Sequence, residues 1–244
     1  FTPELRPSLD PELVAEFEAR RRRTAEGYAP LDVPDLLDLV KDRLLIEAQE
    51  WRDLLTAIRA DHEGDLDAWL RDAGNRLVWV KGPGGNAMAG ALEMVDRFAC
   101  LYAHRPGWRV EGFDGQAMEW PVPDTAEESL AQVQGVMSQW LSHYGPMGLK
   151  RMVALLGLEL IDLAPLLESL VADRLVLGDV QVEGWAEQCY CDAGNLEMLL
   201  RMGRRKAKPM LEPLGTDCLP LVTAVEQGLL DHGDGKEALY KPVV

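Results

Sequence analysis

The side chains best suited to chemistry in this sequence are basic, and they are concentrated in one short segment. Five positive charges lie within eight residues, at Arg201, Arg204, Arg205, Lys206 and Lys208. If the segment is helical, residues three, four and seven positions apart share one face, and such a face could bind the phosphates of a nucleic acid. The alternative is that these residues pair with the protein's own carboxylates.

Other basic residues could add to this surface. Lys150 and Arg151 begin a predicted helix, and Arg20-Arg21-Arg22-Arg23 ends the first predicted helix, either as a solvated helix end or as a phosphate contact. The whole chain carries 41 acidic and 25 basic residues, a formal net charge of −16, which opposes non-specific attraction to DNA. Contact with nucleic acid must therefore be local, or be supplied by other parts of a longer polypeptide.

The sequence predicts no catalytic residue and no metal site. Gly82-Pro83-Gly84-Gly85 has the glycines of a phosphate-binding loop but lacks the Lys-Ser/Thr that must follow, so it predicts a hairpin turn. Cys189-Tyr190-Cys191 has no second cysteine pair to complete a zinc site, and we expect the cysteines to be packing residues of a protein in the reducing cytoplasm. The four histidines, His62, His104, His143 and His232, show no metal-ligand spacing.

The elements that must position these residues occur as a repeat. Arg-Leu-Val-Trp-Val at 76–80 is matched by Arg-Leu-Val-Leu-Gly at 174–178, and Leu92-Glu93-Met94-Val95 is matched by Leu196-Glu197-Met198-Leu199. Each copy follows amphipathic helices, and leads through a glycine-containing turn to a second apolar stretch and a further helix. Three helices followed by a hairpin are typical of a winged helix, so the chain is predicted to be α+β, mainly helical, with tandem winged-helix modules.

This pattern divides the chain into five parts. They are an N-terminal helix (1–30), a first winged-helix module (31–104), a connector that packs through Trp108, Phe113 and Trp120 (105–124), a second winged-helix module (125–208) and the start of a following module (209–244). In the second module we expect Leu130 to face the core, Asp162 to cap the third helix, and Asp192 or Asn195 to cap the last helix.

Membrane insertion and secretion are not expected. The sequence has no apolar run of about 18 residues and does not open with a secretory signal pattern. It begins without Met and is interpreted as a piece of a longer cytoplasmic polypeptide.

A set of dispersed motifs resembles the winged-helix region of large helicase-related (Lhr-type) ATP-dependent helicases, over roughly residues 10–228. The motifs are Glu16-Phe17-Glu18, Gly27-Tyr28-Ala29-Pro30, residues 39–46 with Glu50-Trp51, Trp140-Leu141-x-x-Tyr144-Gly145-Pro146, Leu156-Gly157-Leu158, residues 170–176, Cys191-Asp192-Ala193-x-Asn195-Leu196, Arg204-Arg205 and Glu212-Pro213.

The resemblance implies an accessory, non-catalytic part of a superfamily 2 DNA-repair helicase. ATP and Mg²⁺ would be cofactors of the parent enzyme and its ATP hydrolysis, with none in this chain, and the partners would be DNA through the parent and other domains of the same polypeptide. The third helices, with Asp65, Asp67 and Asp72 in one module and Asp162, Glu168 and Asp173 in the other, are too acidic for a DNA groove. Scaffolding between domains is therefore the expected role.

Two alternatives remain open at this point. Some glycosylases related to this helicase region carry a Gln-x-Gln motif that positions a catalytic water, and Gln132-Val133-Gln134 has that form. A DNA glycosylase-like repair module is therefore one alternative, although these glutamines also fit an ordinary helix surface. A winged-helix transcription regulator or protein-docking module is the other.

Overall fold

A computed structural model describes residues 8–62, 65–102, 105–119, 126–206 and 223–224 of the 244-residue chain, with side chains of the sixth helix described from Leu130 onward. The chain divides into two compact units, Phe1–Lys206 and Ala207–Val244. Nearly all of the described residues lie in the first unit. Several predictions fall outside the described residues, namely those on His104, Trp120, Lys208, Cys218 and His232.

The described residues form an α+β structure that is mainly helical, as predicted. The helices are α1 (Pro11–Arg21), α2 (Val33–Arg43), α3 (Ala48–Asp61), α4 (Leu66–Ala73), α5 (Val95–Phe98), α6 (Ala126–Leu141), α7 (Leu149–Leu156), α8 (Leu160–Ala172) and α9 (Ala193–Lys206). The strands are β1 (Ile46–Glu47), β2 (Leu77–Lys81), β3 (Ala87–Ala91), β4 (Arg109–Gly112), β5 (Ala117–Met118), β6 (Met147–Gly148), β7 (Val176–Val180) and β8 (Cys189–Asp192).

Side-chain caps explain where several helices begin. Asp10 accepts a hydrogen bond from the Glu12 amide at 2.9 Å and starts α1, and Asp192 accepts one from the Asn195 amide at 2.9 Å and starts α9. The prediction for Asp162 is wrong, because α8 begins after Glu159. Asp162 lies within the first turn of α8.

The strands form two antiparallel sheets in the described part of the chain, with the orders β1-β3-β2-β4-β5 and β6-β8-β7. The elements α2-β1-α3-α4-β2-β3 are followed later by α6-β6-α7-α8-β7-β8, in the same order. In each series the short strand between the first two helices pairs with the return strand of the hairpin. We call α2 to β5 the first module and α6 to α9 the second module.

The described part of the predicted connector, residues 105–119, also contributes two strands to the first sheet. Its strand β4 pairs with β2, in the register Val80↔Val110, and β5 extends the sheet further. The predicted packing of two aromatic residues is confirmed: the Phe113 ring stacks 4.8 Å from that of Trp79, and Trp108 stacks 4.1 Å from Tyr102. Strands of four and two residues are too short to show a periodic pattern in the sequence.

Three clusters of buried residues hold the structure together. The central cluster is shared by both modules and includes Val80, Phe98, Trp140 and Leu170. A second cluster lies within the first module, and a third packs α1 against β7, β8 and α9. The prediction that Leu130 faces the core is wrong, since 58% of it is exposed.

Candidate nucleic-acid interface

The described part of the predicted basic segment, residues 201–206, lies in the last two turns of α9. Arg201 donates to Glu197 at 2.5 Å, and Lys206 lies 3.0 Å from Asp10 and 3.9 Å from Glu12. Arg204 and Arg205 are exposed and form no ion pair with any residue that the structure describes. Among the described residues of this segment, Arg204 and Arg205 therefore remain available for a phosphate.

The pairing of Lys206 follows from how α1 and α9 pack. Asp10 at the start of α1 lies beside Lys206 at the end of α9, and Gly203 faces Leu13, so the two helices run antiparallel with a small residue at the contact. The hydrogen bond to Asp10 raises the pKa of Lys206, and the same bond lowers the pKa of Asp10. The acidic start of α1 thus neutralises part of the basic segment.

The structure does not place Lys150 and Arg151 in a common contact with that segment. Lys150 is exposed beside Trp185 and Glu187, in the turn between β7 and β8. Arg151 points towards α1, where its guanidinium lies 3.4 Å from Glu18. An exposed Trp beside a Lys can stack on a base and contact a phosphate, but Glu187 opposes a phosphate at this position.

The four arginines at the end of α1 all bond to other side chains of the protein, although the Arg20 side chain is 47% exposed. Arg20 binds Glu16 at 2.6 Å, Arg22 binds Glu18 at 2.5 Å, and Arg23 binds both oxygens of Asp35, at 2.5 and 2.7 Å. Arg21 donates to the Asn195 side-chain oxygen at 2.9 Å. The solvated helix end is therefore confirmed for Arg20 only, whereas Arg21, Arg22 and Arg23 are part-buried and lie against Asn195, Glu50 and Asp35. Contact of these arginines with phosphate stays a prediction.

The turn between β2 and β3 is a hairpin turn, as predicted, and it packs against the second module. The Gly82 amide donates to the Asn86 carbonyl at 2.8 Å within the turn, and the Asn86 side chain donates to the Ala154 carbonyl of α7 at 2.9 Å. The Trp108 ring is wedged between Gly82 and Gly157, where an added Cβ would lie 2.7 and 2.9 Å from it. Gly82 is therefore buried, whereas Pro83, Gly84 and Gly85 at the tip of the turn are exposed.

The edge of the second hairpin is also occupied by the chain. Leu9 forms a parallel bridge with Val182. Its amide donates to the Gln181 carbonyl at 3.0 Å, and its carbonyl accepts from the Glu183 amide at 2.9 Å. The residues before α1 thus extend the hairpin by one short strand.

The third helix of each module presents carboxylates to solvent. On α4, Asp65 lies 3.5 Å from Arg71 and Asp67 lies 3.9 Å from Arg59. On α8, Asp162 lies 2.8 Å from Arg105, and Glu168 is exposed. Neither surface offers the excess of Lys and Arg that phosphates require.

Sequence reasoning missed a buried polar network that joins the modules. Arg43 at the end of α2 is 1% exposed and donates to Glu50 of α3 at 2.6 Å and to the Tyr144 hydroxyl at 2.8 Å. Tyr144, which follows α6, donates to the same Glu50 oxygen at 2.8 Å. Arg22 of α1 lies 3.5 Å from the other oxygen of Glu50.

Charge compensation keeps this network ionised. Burial alone would raise the pKa of Glu50, but Arg43 and Arg22 hold it below its ordinary value. Burial raises the pKa of Tyr144, so its hydroxyl stays protonated and can donate. A buried pair of this kind is costly to break, because the remaining charge is left without a partner.

Side chains from the second module also cap helices elsewhere. Gln139 and His143 both donate to the Asp42 carbonyl, at 2.7 and 2.9 Å, where the last carbonyls of α2 lack intrahelical partners. Asn195 is not the cap of α9. Its side chain instead donates to the Ser142 and Tyr144 carbonyls, at 2.7 and 2.9 Å, and so caps the end of α6.

The remaining candidate residues take part in packing. Gln132 donates to the Asp96 carbonyl at 2.7 Å and Gln134 to the Ser169 hydroxyl at 2.6 Å, which ties α6 to its neighbours. Cys189 and Cys191 are buried and unpaired, and burial raises the pKa of the Cys189 thiol to about 11. No cluster of His, Cys, Asp and Glu suited to a metal ion occurs among the described residues. None of the described helices is long and apolar enough to cross a membrane.

Comparisons with known proteins do not assign the chain to a family. It matches no protein-family model. No curated protein matches its sequence.

Proposed function

We propose that this chain is a non-catalytic scaffold of two winged-helix modules, belonging to an Lhr-type ATP-dependent DNA helicase. The winged-helix assignment is supported by the repeated element order, in which a short strand follows the first helix and pairs with the return strand of a hairpin. The third helices, which ordinarily contact DNA in such modules, are acidic here, and the first hairpin turn is held to the second module by the Asn86 side chain.

The observation that carries the scaffold role is the buried network of Arg43, Glu50 and Tyr144. It joins the first module to the second, and Arg22 connects α1 to the same carboxylate. A region held together in this way can fix the positions of neighbouring domains in one polypeptide. ATP and Mg²⁺ belong to the parent helicase, because the glycine turn of this chain is packed against Trp108 and lacks the Lys-Ser/Thr of a phosphate loop.

In this proposal the chain contributes to DNA engagement through Arg204 and Arg205. Both are exposed on the last turn of α9 without an ion pair in the described part of the chain. Two phosphate contacts are a weak interaction on their own, so the parent's other domains must supply most of the affinity.

The test measures DNA binding by the chain at a series of salt concentrations. Binding is detected as a change in the fluorescence anisotropy of a labelled, partly single-stranded DNA. Arg204→Glu with Arg205→Glu is expected to weaken binding about tenfold and to lower the salt slope by about two, roughly one for each lost phosphate contact. The matched control is Arg52→Glu with Arg59→Glu, which changes the net charge equally on an exposed face of α3. Equal binding by wild type and the α9 variant, or an equal loss in the control, would contradict the proposed contact.

A further inference from the structure

The exposed face of α8 carries apolar side chains that nothing in the described structure covers. Ile161 is 76% exposed and Leu160 is 55% exposed, whereas the next residues of the same helix, Leu163 and Leu167, are fully buried. Pro165 lies one turn further along the exposed side. Adjacent exposed apolar residues on an otherwise well-packed helix are typical of a docking surface.

This apolar face is surrounded by hydrogen-bond acceptors. Glu159 and Glu168 are exposed and form no ion pair among the described residues, and α8 contains no Lys or Arg. Pro165 has no backbone N–H, so the Ile161 carbonyl lacks the donor that the residue four positions later supplies in a regular helix. A ligand for this surface must bring apolar contacts and several donors.

The corresponding helix of the first module shows that this arrangement is specific to α8. Ion pairs occur at both helices, between Asp65 and Arg71 and between Asp67 and Arg59 at α4 and between Asp162 and Arg105 at α8, so the difference lies in the apolar residues. The large apolar residues of α4, Trp69 and Leu70, are half-buried against the first module's core. Between these two described helices, adjacent apolar residues that are more than half exposed occur on α8 and not on α4.

We propose that the exposed side of α8, formed by Ile161, Pro165 and Glu168 with Leu160 and Glu159 beside it, docks a protein partner that presents Lys and Arg side chains around an apolar anchor. Charge complementarity selects this occupant, because the carboxylates repel nucleic acid and anionic lipid alike. The inference rests on the proposed scaffold role and names the chemistry of the domain that the scaffold holds.

The probe is a fluorescent 18-residue amphipathic peptide of Leu and Lys, with the same peptide carrying Glu in place of Lys as its counterpart. The change is Leu160→Gln with Ile161→Gln, and the matched control is Leu31→Gln with Leu92→Gln, two leucines exposed elsewhere in the described structure. We expect the α8 variant to bind the Lys peptide about tenfold more weakly, because truncated apolar anchors dominate such losses. The control should bind within about twofold of wild type, and the Glu peptide should not bind.

A second variant separates the charges from the apolar anchor. Glu159→Gln with Glu168→Gln is expected to reduce affinity for the Lys peptide several-fold and to weaken its salt dependence. Equal peptide binding by wild type and the Leu160/Ile161 variant would overturn the inference. A loss of DNA binding in that variant would also overturn it, because the face would then be a nucleic-acid surface. DNA binding through Arg204 and Arg205 is measured separately, so failure of the docking face and failure of the proposed function are distinguishable.

Discussion

The two modules share one order of helices and strands but use their hairpin turns differently. In the turn after β2, Gly82 lies against the Trp108 ring, which also lies against Gly157 of the second module and fits because neither glycine has a Cβ. The tip of this turn, Pro83 to Gly85, is exposed. The turn after β7 instead leaves Trp185 39% exposed, and its edge is taken by Leu9. The same order of elements can therefore place a hairpin turn against the other module in one copy and at the protein surface in the other. The small residues Gly82 and Gly157 allow the packing in the first copy.

The first helices of the two modules differ in which element donates hydrogen bonds to the carbonyls at their C-terminal ends. The carbonyl end of α2 is capped by Gln139 and His143 of the second module, whereas the end of α6 is capped by Asn195 of α9 within its own module. The first module thus depends on the second for hydrogen bonds to the last carbonyls of α2. The second module in turn depends on the first, because Arg43 donates a hydrogen bond to the buried Tyr144 hydroxyl.

The largest expected effect comes from neutralising the carboxylate that both modules share. Glu50→Gln leaves the guanidinium of Arg43 buried without a counter-charge, which costs about 3–5 kcal/mol of unfolding free energy. Urea unfolding of the wild type and the variant measures the difference. The matched control is Asp67→Asn, which removes an exposed pair at 3.9 Å and should change stability by less than about 0.5 kcal/mol.

Equal effects of these two substitutions would mean that the buried pair is no stronger than a surface pair. The modules would then be held together by their apolar core alone.

A smaller effect is expected from pH, through the histidine that caps α2. Burial, with the nearby charge of Arg43, lowers the pKa of His143 from 6.5 to about 4. His143 binds a proton less readily in the folded protein than in the unfolded chain. The free energy of unfolding is therefore unaffected by this histidine above pH 6.5, and it decreases by about 2–3 kcal/mol as the pH falls to about 4. His143→Gln keeps a donor for the Asp42 carbonyl and should flatten the pH dependence in that window. An unchanged slope of unfolding free energy against pH in the variant would contradict this assignment.

The smallest effect distinguishes the glycines that follow one helix in each module. Gly157 ends α7 at φ +64° and lies against Trp108, so Gly157→Ala should cost about 2 kcal/mol of stability. Gly74 ends α4 in right-handed helical geometry with open space around it, so Gly74→Ala should be neutral or slightly stabilising. Thermal unfolding of both variants checks the contrast; a similar loss in each would show that the Trp108 wedge is not selective for glycine.

Local patterns predicted most of the elements. Turn residues predicted the hairpin turn at Gly82–Gly85, as the structure has it, and Asp192 was predicted to cap the last helix because a cap lies beside its helix in the sequence. The prediction for Leu130 failed because helical spacing identifies an apolar face but not whether anything covers it.

The contacts between modules could not be predicted in the same way. Tyr144 lies 94 positions from Glu50 and 101 from Arg43, and no local rule joins residues so far apart. Glu18, Glu50, Tyr144 and Asn195 nevertheless all lie in the dispersed motifs that the sequence analysis singled out, on which the proposed helicase assignment rests. The basic segment of α9 shows the opposite case: its composition was conspicuous, but the pairing of Lys206 with Asp10 depends on the packing of α1.

Native-state hydrogen exchange of the whole chain tests the central claim most directly, that the two modules form one cooperative scaffold. The slowest amides of β2 in the first module and of β8 in the second should open with the same free energy. Glu50→Gln should lower both values by the same amount. Exchange in which one module opens while the other stays protected, or in which Glu50→Gln affects the first module alone, would contradict the account.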